Sequence, residues 1–249
     1  MSGFKRERPR PKKRLVQWDL KLVLEFFKTG RFSTWDTLTN KYLTLKTVFL
    51  TALASGKRRS ELHALRREGV ADSFGSKRGK LLYPLPSFVS KTQMKTDLGA
   101  LTHVFIPRLE TEDPVVQLLC PAECLMRYIR QSDIYRSTGQ KQLFISWQEG
   151  KTNDLTVTTI SSYIKKAVLM AYEEADDDLL SNLKVVPHTV RHVASSLKAL
   201  RSCSLQEIMQ AGTWASPNTF ISHYLVDFTT DSLKGLSNIG GLVAAGSQI

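Results

Sequence analysis

The chain has 249 residues, 42% of them hydrophobic and 23% charged, an ordinary balance for a globular protein with a sizeable core. Its 35 Lys and Arg against 23 Asp and Glu leave a net charge of +12, which favours a polyanionic partner, nucleic acid ahead of an acidic membrane surface. Cys120, Cys124 and Cys203 make no disulfide framework, no apolar run approaches the roughly twenty residues of a membrane span, and the start is too basic for a secretory signal, so a soluble protein of a reducing, intracellular compartment is expected.

Residues 1–14, MSGFKRERPRPKKR, read as a solvated basic arm, with a nuclear address or a phosphate-contacting arm as the functional alternatives. From Trp18 to Phe27 the spacing of Leu20, Val23, Leu24 and Phe27 predicts a helix that Thr29-Gly30 ends. A polar linker is expected to about Asn40, then a mostly buried helix from Tyr42 to Ser55 that Gly56 interrupts. Residues 79–107 alternate and are rich in β-formers on either side of a Lys- and Thr-rich loop, which predicts a small antiparallel sheet. Proline at the first helical position predicts a helix from Pro121 to about Gln131. QLFIS reads as a short strand, and a Thr-rich cap opens a helix from Thr156 to about Glu174. After the acidic run EEADDD, Pro187 begins a helix that carries His188, Arg191 and His192 within just over one turn, where residues three and four apart share a face. An amphipathic stretch then closes on Tyr224, with Trp214 ten residues before it, and the end of the chain is rich in Gly and Ser. The expected fold is mainly α with a small antiparallel β-sheet.

The chemistry lies in three places. His188-x-x-Arg191-His192 offers cations to one anion, and an isolated tyrosine about thirty residues later suggests phosphodiester chemistry with tyrosine as nucleophile. Such a step needs fixed cations on the non-bridging oxygens, a task that the planar fork of arginine suits, and an acid for the leaving oxygen. A second arginine stands in Ser55-Gly56-Lys57-Arg58-Arg59-Ser60-Glu61-Leu62, where Glu61 can pin an arginine just after the helix break; by itself KRRSE is more often a solvated basic turn. Arg58 is favoured over Arg59 because it lies three residues before Glu61. Zinc between His188 and His192 lacks both the intervening glutamate of a metalloprotease and a third ligand, so no metal is expected.

Together these pieces resemble a known family. SGKRRSEL is similar to the first arginine box of the tyrosine recombinases, the integrase family; PHTVRH is similar to the second, and GTW followed by HY to the third. The order and separations fit over roughly 185 residues. WDLKLVL, LKTVFLTALASGKRRSELHAL, LCPAECLMRYI and WASPNTFISHYL look like the recombinases of eukaryotic DIRS-type retrotransposons and, more distantly, Crypton elements. The resemblance implies a tyrosine recombinase catalytic-domain fold and DNA strand cleavage and rejoining through a 3′-phosphotyrosyl intermediate, with no metal and no cofactor. Arg58 and Arg191 would clamp the scissile phosphate, His188 and Trp214 would hydrogen-bond it, and Tyr224 would attack. Glu61 and His192 would act from behind these groups. Lys91 is the best match to the family's hairpin-loop general acid, with Lys95 second.

The implied partners are double-stranded DNA and, for recombination, a homo-tetramer on two duplexes, with no membrane; the implied location is nuclear. The expected division is a basic disordered arm, short helix and linker over 1–39, a catalytic domain over 40–228 and a flexible tail over 229–249. Only about forty residues precede the catalytic region, fewer than the family's N-terminal DNA-binding domain needs, so a fragment or a separately supplied domain is expected. The alternatives are a non-catalytic DNA-binding protein derived from such an element, and a topoisomerase-like relaxation of supercoils by the same chemistry.

Overall fold

The computed structural model describes residues 18–73, 79–90, 103–146, 152–175, 183, 185–200, 203–212 and 243. The fold grows from a helix that has no wet face. α2 (Asn40–Ser55) is buried from Leu43 to Ser55, so its sequence shows no amphipathic stripe and reads apolar all round. α5 (Pro121–Asp133), α6 (Val157–Glu174) and α7 (Thr189–Leu200) all pack on it, and α1 (Leu20–Phe26) and α3 (Arg59–His63) pack on α6.

The local signals explain where these helices start. Asp19 Oδ1 accepts the N–H of Lys21 at 2.8 Å to open α1, and Thr156 Oγ1 accepts that of Thr159 at 3.1 Å to open α6. Pro121 stands in the first turn of α5, where its missing N–H costs nothing. Short helices at Pro114–Gln117 (α4) and Leu205–Gly212 (α8) complete the helical part among the described residues.

The sheet is three-stranded and antiparallel, in the order β1 (Ala71–Asp72), β2 (Gly79–Leu82), β3 (Val104–Pro107), with Gly79 opposite Pro107 and Leu82 opposite Val104. β3 packs on α2 and α5. The expected architecture, mainly α with one small antiparallel sheet, is therefore found, with a third strand, β1, that two residues were too few to announce. QLFIS does not join this sheet; it makes isolated bridges, Gln142 to Arg66 and Ile145 to Asp154.

Two expectations change. The stretch between the first two helices is not merely a polar connection: it makes a turn of 3-10 helix at Gly30–Phe32 and buries Phe32 in the main core beside Phe26 and Phe27. Phe32, with Trp35 and Leu38 packed against the same core, is enough to fold a largely polar run back. The helix expected to carry His188 begins one residue later, at Thr189, whose hydroxyl turns back to the Val186 carbonyl at 2.7 Å. Of the expected C-terminal tail, only Val243 is described, and it is fully buried in the main core; the basic arm over 1–14 lies outside the described residues.

Lys46 is a charge inside this core. Its ammonium is fully buried, donates to the Phe27 carbonyl at 2.9 Å at the end of α1, and sits over the rings of Trp35 at 4.8 Å, Phe32 at 5.6 Å and Phe27 at 5.8 Å. The helix end and the ring faces suit a cation. Burial still pushes its pKa down from 10.5 to about 8, against a smaller upward pull from Cys124. Between those values the unfolded chain holds a proton that the folded one has lost, so stability rises with pH. Relative to Lys46→Met, the natural chain should gain about 2 kcal/mol between neutral pH and roughly pH 9.5 in urea melts. An unchanged difference would mean that the ammonium is as well solvated in the fold as in the unfolded chain.

Candidate phosphate-binding cleft

The site begins where α2 stops. Gly56 ends the helix in the left-handed conformation, φ +64°, and its N–H closes on the Ala52 carbonyl at 3.0 Å. That conformation, which costs glycine little, turns the chain so that Arg58 is extended before α3. Glu61, in the first turn of α3, reaches back to accept the N–H of Arg58 at 2.6 Å through Oε2.

The same carboxylate joins two distant parts of the chain. Arg58 Nη1 lies 3.5 Å from Glu61 Oε1, and Arg191 Nη1 lies 3.5 Å from Glu61 Oε2. Arg191 Nη1 also donates to the Gly56 carbonyl at 2.8 Å, so the residue that ends α2 holds the guanidinium of α7. Arg191 is 3% exposed and Glu61 is 6% exposed, whereas the Arg58 side chain keeps about a quarter of its surface, 24%. Arg58 Nη1 is buried and makes no hydrogen bond among the described residues. Screening at such a depth is weak, and the carboxylate fixes both forks.

Of the two adjacent arginines, Arg58 faces Glu61, while Arg59 is exposed and donates to Ser161 Oγ on α6 at 3.2 Å. Lys57, Arg58, Arg59, His188 and Arg191 line one cleft, whose apolar floor is Ala52, Ile164, Pro187 and Val190. Three of these basic side chains, Arg58, Arg191 and Lys57, interact with one carboxylate, Glu61. His188 sits at the mouth of α7, and its carbonyl accepts the N–H groups of Arg191 at 3.2 Å and His192 at 3.4 Å. Burial first, then the charges of Arg59, Arg191 and Arg58, hold its imidazole below the ordinary histidine range, so it is neutral at neutral pH. His192 is buried on α7 and does not line the cleft.

A larger cavity of about 270 Å³ lies between the β1–β2 pair and α5 and shares no lining residue with the cleft. Two carboxylates offset most of its charge: Lys80 bonds Asp72 at 2.6 Å and Arg108 faces Glu123 at 4.0 Å, with Arg130 besides. The lining of the smaller site carries no carboxylate, so positive charge is more concentrated there. Among the described residues no three His, Cys, Asp or Glu side chains cluster as metal ligands would, and no helix is long and apolar enough to cross a membrane.

Of the residues singled out in the sequence, Arg58, Glu61, His188 and Arg191 come together here. Lys91, Lys95, Trp214 and Tyr224 lie outside the described residues. Two contributors had no clear signal. Lys57 was read only as part of a basic turn, although its place directly after the helix-ending glycine makes it the residue most closely confined by that turn. Trp18 was read as the start of α1, yet its indole N–H donates to Thr189 Oγ1 at 2.7 Å in the interior and so anchors the helix end that presents Arg191.

Glu61→Gln should show what the carboxylate balances. Removing one partner of a buried ion pair costs about 3 to 5 kcal/mol, and the remaining cations should then favour an added anion. Thermal unfolding should be lowered in chloride and recover more with phosphate than the natural chain gains. Equal gains for both proteins would place the anion elsewhere.

No protein-family model and no curated protein matches the sequence. Similar solved structures include the XerA recombinase, 17% identical with a TM-score of 0.53 over 91% of this chain and 65% of that one. The Flpe–Holliday junction complex is 12% identical with a TM-score of 0.46 over 88% of this chain and 50% of that one, too distant in shape to add an argument. The chain therefore spans less than two thirds of the XerA chain. The likeness is one of fold: the mainly α architecture with a small antiparallel sheet is similar to that of the XerA recombinase.

Proposed function

We propose that this chain cleaves and rejoins DNA strands through a covalent phosphotyrosine. The single observation that carries this reading is the shared carboxylate. Arg58 and Arg191, 133 residues apart, are held by Glu61 beside one cleft, with Lys57, Arg59 and His188 on its walls. So much fixed positive charge over so small an area suits one phosphodiester, and the net charge of +12 suits the polyanion around it.

In this scheme the two guanidinium groups receive the non-bridging oxygens, where charge grows as phosphorus is attacked. Tyr224 Oη forms the new bond to phosphorus while the bond to the 5′ oxygen breaks. Neutral His188 hydrogen-bonds the phosphate and is the group in the cleft able to accept the phenolic proton. Trp214 adds an indole N–H. Lys91, or Lys95 in its place, returns a proton to the leaving 5′ oxygen. Side chains supply every service, so the scheme calls for no metal or cofactor. The phosphotyrosine retains the energy of the broken bond, and the 5′ hydroxyl of another strand can reverse the step.

The finer reading is recombination or integration by a recombinase like those of DIRS-type retrotransposons, acting in the nucleus as a homo-tetramer on two duplexes. It rests on the sequence boxes from SGKRRSEL to WASPNTFISHYL. The test is a nicked duplex whose cleaved fragment diffuses away, so that the covalent intermediate accumulates. A slow-migrating protein–DNA band on a denaturing gel, mapped to Tyr224 by peptide mass spectrometry, is the expected result. Tight duplex binding without that band would favour the non-catalytic DNA-binding reading.

A further inference from the structure

The cleft contains two basic side chains beyond those that the recombination scheme uses at its phosphate, and one of them, Arg59, is tied to Ser161 on α6. Lys57 occupies the link between Gly56 and α3, its N–H bonded to Ser55 Oγ at 3.2 Å and the residue only 7% exposed. It lines the cleft together with Arg58, His188 and Arg191. The charges acting on it are Glu61 from α3, Arg191 from α7 and Arg58 from the link itself; Arg59 and His188 line the same cleft, to which α2 and α6 contribute Ala52 and Ile164. Glu61 is already shared by the two arginines, so Lys57 stands in a site with more positive than negative charge.

We propose that Lys57 is a third phosphate-binding cation of this cleft, and that the phosphate it receives restores its proton, so that DNA binding takes up a proton at mildly alkaline pH. The proposal rests on the reading that the cleft takes a phosphodiester. Its geometry is a lysine buried in one cleft with two guanidinium groups that cannot shed their charge. In that setting Lys57 is the cation that yields: burial first, then Arg191 and Arg58, push its pKa from 10.5 down to about 8 against the opposing pull of Glu61. An anion in the cleft supplies the missing negative charge and moves the pKa back up. Linkage is reciprocal, so a rise of about one unit corresponds to about tenfold tighter binding by the protonated protein.

The experiment follows lysine Cε resonances of the labelled protein through a pH titration, with Lys57 assigned by its absence in Lys57→Arg. It is run free, with a short DNA duplex and with inorganic phosphate. Lys57 should titrate far below the exposed lysines in the free protein and move up by about one unit or more with either anion. Duplex affinity should fall by up to about tenfold as Lys57 deprotonates, whereas Lys57→Arg, which keeps its charge, should bind with little dependence on pH over that range.

A titration unmoved by duplex, or an affinity that falls equally in both proteins, would overturn the proposal and leave the DNA reading intact. Failure of the duplex to bind at low salt would instead overturn the DNA reading. Inorganic phosphate then decides Lys57 alone: an upward shift supports the anion seat, and an unmoved titration rejects it. Should Lys57→Arg fail to fold, Lys57→Gln supplies the assignment, and the titration of the natural chain with phosphate carries the same decision.

Discussion

Arg191→Ala should lower both folding stability and DNA cleavage, stability by about 3 kcal/mol or more and cleavage by at least about a hundredfold. The stability loss follows from burial. Arg191 is almost inaccessible to solvent, and its removal leaves the Gly56 carbonyl without its donor and Glu61 with one cation fewer at its side. The cleavage loss follows from position, because a fixed guanidinium at the phosphate acts most strongly as charge builds on the oxygens. Arg191→Lys separates the two effects. Its point charge should recover part of the stability in urea melts, but one ammonium cannot reach Gly56, Glu61 and a phosphate as a planar fork can. Adduct formation should remain depressed. Full activity in Arg191→Lys would show that charge alone, rather than bidentate geometry, is what the step requires.

Tyr224→Phe should abolish the covalent adduct altogether and leave duplex affinity within about twofold, because affinity comes mainly from backbone phosphates and scarcely from one phenol. No other oxygen nucleophile of the scheme can replace the lost hydroxyl. Adduct on a denaturing gel and duplex binding at matched salt are measured on the same preparation. Persistence of the adduct in Tyr224→Phe would assign the nucleophile to another residue; loss of both adduct and binding would point to a folding role for Tyr224.

Much of the fold was legible because its signals are local. Gly56 after an apolar run, Pro121 at a helix start, the Thr cap before α6 and the alternation on either side of residues 91–102 each act within a few residues, and each produced the element expected. The arginine boxes were legible in the same way, as short patterns. What could not be read was how distant groups share partners. Nothing in SGKRRSEL says that Glu61 faces α7 as well as Arg58, and nothing in PHTVRH says that Arg191 bonds the carbonyl that ends α2. The bond from Trp18 to Thr189 spans 171 residues and has no periodic signature.

Charged residues in the interior misled for a second reason. Lysine is ordinarily solvated, so KRRSE, which begins at Lys57, reads as a solvated basic turn, and nothing local marks Lys46 in α2 as a buried cation. The helix end and ring faces around one, and the carboxylate near the other, are tertiary arrangements that reverse the expectation. His188 fell one residue outside its helix because the Thr189 hydroxyl and the Trp18 indole set where α7 begins, and the spacing of His188, Arg191 and His192 fits either start.

The measurement that bears most directly on the shared phosphate is a double-mutant cycle on the rate of adduct formation, with Arg58→Ala, Arg191→Ala and the pair. Two guanidinium groups clamping one phosphate act as a unit, so the double variant should lose little more than the worse single one. Losses that multiply would mean that the two arginines serve separate sites, and would contradict a common phosphate beside Glu61.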